Sequence, residues 1–478
     1  MPRLNLSGGT YQARSLAVSA QRCLNLFPEP LPQVQGEPIQ FAHYPTPGLK
    51  GVCNLGPGVL RCLYTTSQGD LIAVAGSLVY LVDRFGKPSR IGEISGGTGQ
   101  VRMQDNGLTL FIVDGTPGNG WYCSIPGSAG GSYGAISKIA DSAFYGSATV
   151  AVLDTFLLFV NPNTTNWYVS PANFVDESTT PFDSLYVASK TSYPDIISGI
   201  ATVGQTIWIF GRQTTELWYD SGAADFPFQR IPSITADQGC ESPWSIATNY
   251  GQIFWLGRDR SGHARVYMGQ ENATQAISTF AIEYALNQYA ELGNAIGNTY
   301  QQDGHQFYVL TLPDQGKTWV YDATVGLWHE RCGLNGAGQE ARIRANCWAS
   351  AYGRVFCGDY ENGWLYEVRT DALDDAGTPI KRQRGFPHLV TDGKRGIHRC
   401  FMLDMQCGSN VPVVVDWSDD RGATWSGTQT LSLGNAGGTW PTIWRLGIAR
   451  DRIYRVTWTG AAQTALMGAF IEFAPVAL

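Results

Sequence analysis

Charge is scarce in this sequence. Asp, Glu, Lys and Arg make up 15% of its 478 residues, against about 25% in an ordinary soluble domain. Sparse charge implies an outside largely covered by partners. No apolar run reaches the roughly 18 residues of a membrane-spanning helix, so no membrane anchor is expected. The opening MPRLNLSGGTYQARS has no apolar centre, so no signal peptide is expected. The ten cysteines include no C-x-x-C and the six histidines are widely spread, which excludes zinc-type spacing. In a reducing cytoplasm these cysteines are expected to be free and buried. The motifs GxxxxGK[ST] and H-E-x-x-H are absent. SGGTGQ at 95–100 lacks the lysine of a phosphate-binding loop. No metal and no cofactor are expected. Helical periodicity is nearly absent too, and STFAIEYALNQYAEL at 278–292 is the best helix candidate.

Glycine and aromatic residues are abundant, with 56 Gly and 12% aromatics. They recur in a pattern: a Gly-containing turn, an apolar strand, a second turn, and a strand bearing Trp or Tyr. Such units begin near residues 69, 106, 153, 203, 250, 303 and 352. A repeat of about 40–50 residues made of strands is the mark of a four-stranded propeller blade. A blade cannot bury both faces alone, so the blades must close into a ring. The fold class is therefore all-β: an irregular β-propeller of six to seven blades over residues 56–380. Six is the alternative because the second unit runs into the Gly-rich GSAGGSYGA. Trp121, Trp167, Trp218, Tyr267, Trp319 and Trp364 are expected at equivalent positions between blades. Residues 381–478 change character to six longer strands and read as a β-sandwich-like platform domain. Residues 1–55, with PEPLPQVQGEP, read as an extended arm packing on the platform.

Two stretches stand out within 381–478. SDDRGATW, from Ser418 to Trp425, has the S-x-D-x-G-x-T-W pattern of the Asp-box of sialidases and other propellers. Asp420 suits a self-hydrogen-bonding turn, Gly422 a positive φ, and Thr424 and Trp425 the start of the return strand. The pattern is that of a structural hairpin braced by Ser418, Asp420, Gly422, Thr424 and Trp425. A glycosidase or glycan-binding propeller is the alternative function. Single candidates for such a site exist in Arg212, Glu216 and Tyr219, but Arg212 and Glu216 are too close in sequence to be grouped with others. The second stretch is the basic KRQRGFPHLVTDGKRGIHR at 381–399. A nucleic-acid patch or a docking loop would both look like this. In an acidic protein the docking reading is preferred, with Arg382, Arg384, Lys394 and Arg395 as the patch. Residues 381–478 carry 11 basic against 7 acidic residues, and the first 380 carry 22 against 33.

The segment IISGIATVGQTIWIFGRQTTELWYDSGA, the RQRGFPHL region, the WSDDRGATW hairpin and the closing TIWRLGIARDRIYRVTWTG carry a resemblance. So do RCLNLFPEP and YPTPGLK near the start. Together they resemble the tail hub or nozzle proteins of short-tailed bacteriophages, also called packaged-DNA stabilisation or tail accessory proteins. The resemblance implies a structural virion protein, assembled in the host bacterial cytoplasm and residing in the tail. It implies a homo-hexameric ring below the portal and its adaptor, the head-to-tail connector. That ring would extend the DNA channel, retain packaged DNA and anchor tail fibre, spike or needle proteins. Double-stranded DNA would pass without specific binding, and an acidic lumen would let it slide. The family has no catalytic residues to carry over, so no enzyme is expected.

Overall fold

The computed structural model describes residues 3–476, except 5, 7, 33–38, 224, 391–392 and 434–439. Residues 33–38 of the Pro-rich arm therefore lie outside the described residues. Its regular secondary structure is almost entirely strand. Five free-standing antiparallel sheets of four strands follow one another from Leu60 to Ala276. Two further four-stranded units, starting at Ile296 and Ala345, are built into larger sheets, which makes seven units in all. The expectation of six to seven blades is met at seven. Tight hairpins set the register within blades. At Tyr250–Gly251 and Tyr352–Gly353 both central residues have positive φ, as a two-residue hairpin turn requires.

The first strands of the blades face one another around a common axis. They are Leu60–Thr65, Arg102–Asp105, Val150–Leu153, Ile197–Val203, Ala247–Asn249, Ile296–Gln302 and Ala345–Ala351. The seventh packs back on the first and closes the ring. Between the fourth and fifth blades the short 3-10 turn Pro243–Ser245 fills the seam. Aromatic rings of the second strands relay packing between blades. Phe111 meets Phe159 at 5.6 Å between ring centroids, Trp208 meets Trp255 at 6.0 Å, and Phe254 meets Tyr308 at 5.1 Å. The third-strand aromatics do not share one register. Trp121 opens its strand whereas Trp218 is the fourth residue of its own. Five of the six are buried, but Trp364 is 39% exposed and Tyr366 takes the buried place on its strand. A two-residue period explains this, since residues two apart share a face and only one of them meets the core.

The arm does more than pack on the platform. Its strand Gly48–Asn54, expected within 1–55, is the fourth strand of the seventh blade and pairs antiparallel with Trp364–Arg369. Ring closure thus joins two segments some 300 residues apart in sequence. The strand Cys23–Leu24 lies between Leu327–Arg331 of the sixth blade and Arg382–Gly385 of the platform. One ten-stranded sheet therefore runs from the sixth blade into the platform. A second sheet, led by Gly396–Cys407 and Thr464–Pro475, takes in Leu26–Pro30, Phe41–Pro45 and Arg3–Leu4 from the arm. Phe401, Leu403, Val413, Val415, Tyr454, Val456, Leu466 and Ile471 fill the sandwich core between them. The predicted helix is present as Phe280–Leu286, with the Thr279 hydroxyl accepting from the Ile282 amide. No disulfide joins the cysteines, nine of which are buried and one, Cys53, half-buried.

Candidate functional site

The motif RCLNLFPEP forms a weld between propeller and platform. The Arg22 guanidinium donates from Nε and Nη2 to Glu330 Oε2 at 2.9 and 2.8 Å. It also donates to both carboxylate oxygens of Glu340 at 3.2 and 2.8 Å. Lys381 Nζ reaches Glu340 Oε1 at 2.8 Å, and the Thr10 hydroxyl reaches Glu330 Oε1 at 3.2 Å. Three parts of the chain meet here: arm, sixth blade and platform. Burial would raise the Glu340 pKa, but Arg22 and Lys381 hold it down at about 2. Asn25, with φ of 52°, completes the weld. Its side-chain amide donates to the carbonyls of Cys332 and Lys381 at 3.0 and 2.7 Å, and its Oδ1 accepts from the Cys332 amide at 3.0 Å. Phe27 then enters the core against His305 and Phe307. Sequence reasoning missed this network. The available signal was LWHER at 327–331, where charged residues sit inside an apolar strand, as in a buried ion pair.

The basic segment divides in two. Arg382 and Arg384 are fully buried and cannot serve as a docking patch. Their strand is interior to its sheet, flanked by Cys23–Leu24 and Asp451–Trp458. Arg384 donates to the carbonyls of Gly8 and Arg22 at 3.1 and 3.4 Å, so it fastens the arm. Arg382 donates to the carbonyls of Gly460 and Leu373 at 3.3 Å each, and burial lowers its pKa to about 10. Lys394 and Arg395 are exposed. They stand next to the strand Gly396–Cys407, whose partners Thr442–Trp444 and Ile448–Ala449 have no further neighbour in the sheet among the described residues. Trp440, Trp444 and Ile448 are 53%, 58% and 54% exposed there, and Ile397, Arg399, Arg445 and Glu472 line a depression beside them. Exposed tryptophan bordered by arginine is the composition of a binding hot spot.

Side-chain hydrogen bonds brace the Asp-box hairpin. Ser418 Oγ donates to Asp420 Oδ1 and accepts from the Gly422 amide, each at 2.7 Å. The Thr424 amide donates to Asp420 Oδ1 at 2.8 Å, and the Thr424 hydroxyl also reaches that carboxylate. Hydrogen bonds from Thr424 and Ser418 lower the Asp420 pKa to about 2. Gly422 has φ of 91°. Trp425 packs beneath the guanidinium of Arg455, 3.9 Å from its ring centroid, while Arg455 grips Asp416.

Arg212, Glu216 and Tyr219 do not converge. Arg212 and Tyr219 are exposed, and Glu216 is fully buried. The Glu216 carboxylate accepts from the Thr191 and Ser192 amides at 3.0 and 2.6 Å and from the Trp218 indole at 3.1 Å. It thus pins the loop before the fourth blade. None of the three lines the axial cavity of about 830 Å³, which touches the first strand of every blade. Among the described residues that wall contains no Asp or Glu, whereas glycoside hydrolysis uses two carboxyl groups flanking the bond. Arg102 spans the ring at one end of the cavity. Its Nη2 donates across the axis to the carbonyls of Trp244 and Ile246 at 2.6 and 3.1 Å.

A family model described as Phage_stabilise, Bacteriophage P22 Gp10, beta-propeller, matches residues 3–373. No curated protein matches. Among solved structures, the computationally designed Ika8 protein is 10% identical with a TM-score of 0.36, over 67% of this chain and 100% of its own. The N-terminal domain of Nup159 is 8% identical with a TM-score of 0.40, over 73% of this chain and 99% of its own. An exo-beta-1,3-galactanase from Phanerochaete chrysosporium is 9% identical with a TM-score of 0.29, over 84% of this chain and 100% of its own. Nothing about activity follows from likenesses of this size.

Proposed function

We propose a role that starts from one fact: the chain belongs to the Phage_stabilise family of bacteriophage β-propeller proteins, whose model covers residues 3–373. It is a phage structural protein of the kind that stabilises packaged DNA, and a component of the virion. The finer reading is a nozzle subunit of a short-tailed phage. Six copies form a ring under the portal and adaptor, hold the DNA in the filled head, and offer their outer surfaces to fibres, spikes or a needle. The ring is homomeric and closes because each subunit uses two different surfaces head to tail.

The observation that carries this reading is the exposed Trp–Arg edge of the platform, joined through one shared sheet to an acidic propeller. Trp440, Trp444 and Ile448 stand exposed beside Lys394, Arg395, Arg399 and Arg445, while the first 380 residues carry an excess of 11 negative charges, 22 against 33. Such an edge suits an acidic neighbour, whether adaptor or adjoining subunit. DNA runs outside the propeller axis, because a cavity of about 830 Å³ bridged by Arg102 does not pass a duplex whose major groove alone is about 12 Å wide. An acidic propeller facing the duplex repels phosphate and leaves it free to slide. The Asp-box is a brace, and no catalytic step is assigned to it. Native mass spectrometry or light scattering of the purified protein with its adaptor tests the reading. Six copies per complex support it. A single copy bound to the adaptor contradicts it.

A further inference from the structure

The axial cavity has a feature that its wall explains. Among the described residues none that lines it is Asp or Glu, in a chain that has 40 of them. Two cations line it. Arg354 is matched by Glu367 at 3.3 Å. Arg102 is not matched. Its Nη2 is satisfied by two backbone carbonyls, and among the described residues no group accepts from its Nε or Nη1. Among the described residues no carboxylate acts on it. Burial lowers its pKa, yet a guanidinium stays charged at neutral pH. A cation held out of bulk water without a counter-charge is unfavourable unless an anion can reach it. Here an anion can, because the cavity is open to Arg102 and large enough for a small molecule. Gln104, Thr149, Asn298, Thr299 and Ser350 add neutral polar side chains to the same wall.

We infer that the axial cavity binds a small anion bearing a carboxylate or phosphate group, held by the free edge of the Arg102 guanidinium. The planar fork of arginine matches both groups through paired N–H donors, and the carboxylate-free wall removes repulsion. This site is separate from the platform edge and does not depend on the assembly reading.

The test uses the full chain, titrated calorimetrically with sodium phosphate and with sodium malonate, with sodium chloride at matched ionic strength as the control. Expected is one saturable site per chain for at least one of the two anions and none for chloride. Saturation by phosphate alone assigns a phosphate-bearing ligand, and saturation by malonate alone a carboxylate-bearing one. Arg102→Gln should weaken binding by about tenfold or more, as expected for a lost charge-assisted hydrogen bond. Asn298→Asp places a carboxylate in the same cavity at constant size and leaves the Arg102 bonds intact. It should weaken binding to a similar extent, and it decides the matter if Arg102→Gln fails to fold. Absence of saturable binding in the wild-type chain, or binding that Asn298→Asp leaves unchanged, overturns the inference.

Discussion

Replacing Arg22 by Met removes the charge from the weld while keeping most of the side-chain volume. Glu330 is then stranded: its side chain is 6% exposed and it loses the bonds at 2.9 and 2.8 Å. Breaking a buried pair from one side costs about 3–5 kcal/mol, because the remaining charge stays buried. Glu330 keeps the Thr10 hydroxyl at 3.2 Å, and Glu340 keeps Lys381. The lower end applies, about 3 kcal/mol. For a chain of this length that is a fall in melting temperature of about 3 °C. Thermal melts at fixed protein concentration measure it. Adding Glu330→Gln to Arg22→Met removes the stranded charge and should recover most of the loss, giving a coupling well above the scatter of independent sites, about 0.5 kcal/mol. Limited proteolysis should also cut the arm of Arg22→Met faster than that of the wild type. Additive losses in the double variant, with no coupling, would refute the weld.

Charge reversal of Lys394 and Arg395 should weaken binding to an acidic adaptor, more at low salt than at high salt, without changing the melting temperature, since both side chains are exposed. Arg384→Glu should instead destabilise the fold in a thermal melt, because that side chain is buried against the arm. Asp420→Ala should lower the urea midpoint of the platform through loss of the bonds to Ser418 and Thr424, with no change in any hydrolytic assay. Stability should also fall in acid, in two stages. Burial first, and then Arg331, lowers the His329 pKa from 6.5 to about 3. As pH falls below 6.5 the unfolded chain takes up a proton that the folded chain refuses, so stability declines towards pH 3. Glu340, at about 2 instead of 4.5, adds a loss between pH 4.5 and 2. Urea midpoints at pH 7, 5.5 and 4 measure the decline, and Glu340→Gln should be less sensitive below pH 4.5 than the wild type.

The propeller was legible because its signal is local. Each hairpin carries its own turn residues and apolar strand within about 15 residues, and the seven starting points from 69 to 352 each fall on a blade. The Asp-box was legible for the same reason, since Ser418 and Thr424 bond to Asp420 within one turn. What failed was non-local. GLKGVCN at 48–54 has no alternation to mark it as a strand, and its partner lies some 300 residues on. Arg382 and Arg384 looked like surface because isolated arginine usually is. Only the topology, with Cys23–Leu24 on one side and Asp451–Trp458 on the other, places them inside. Likewise nothing in the local sequence around Arg102 reveals that the cavity opposite it lacks carboxylates. That property belongs to seven strands brought together by ring closure.

The central claim, a structural protein that stabilises packaged DNA, is tested most directly in particles assembled without this chain. The measurement is the encapsidated DNA that resists nuclease, followed over time after packaging. The account predicts heads that fill and then lose their DNA, with retention restored when the purified protein is added back. Particles that lack the chain yet keep a full complement of protected DNA would contradict it.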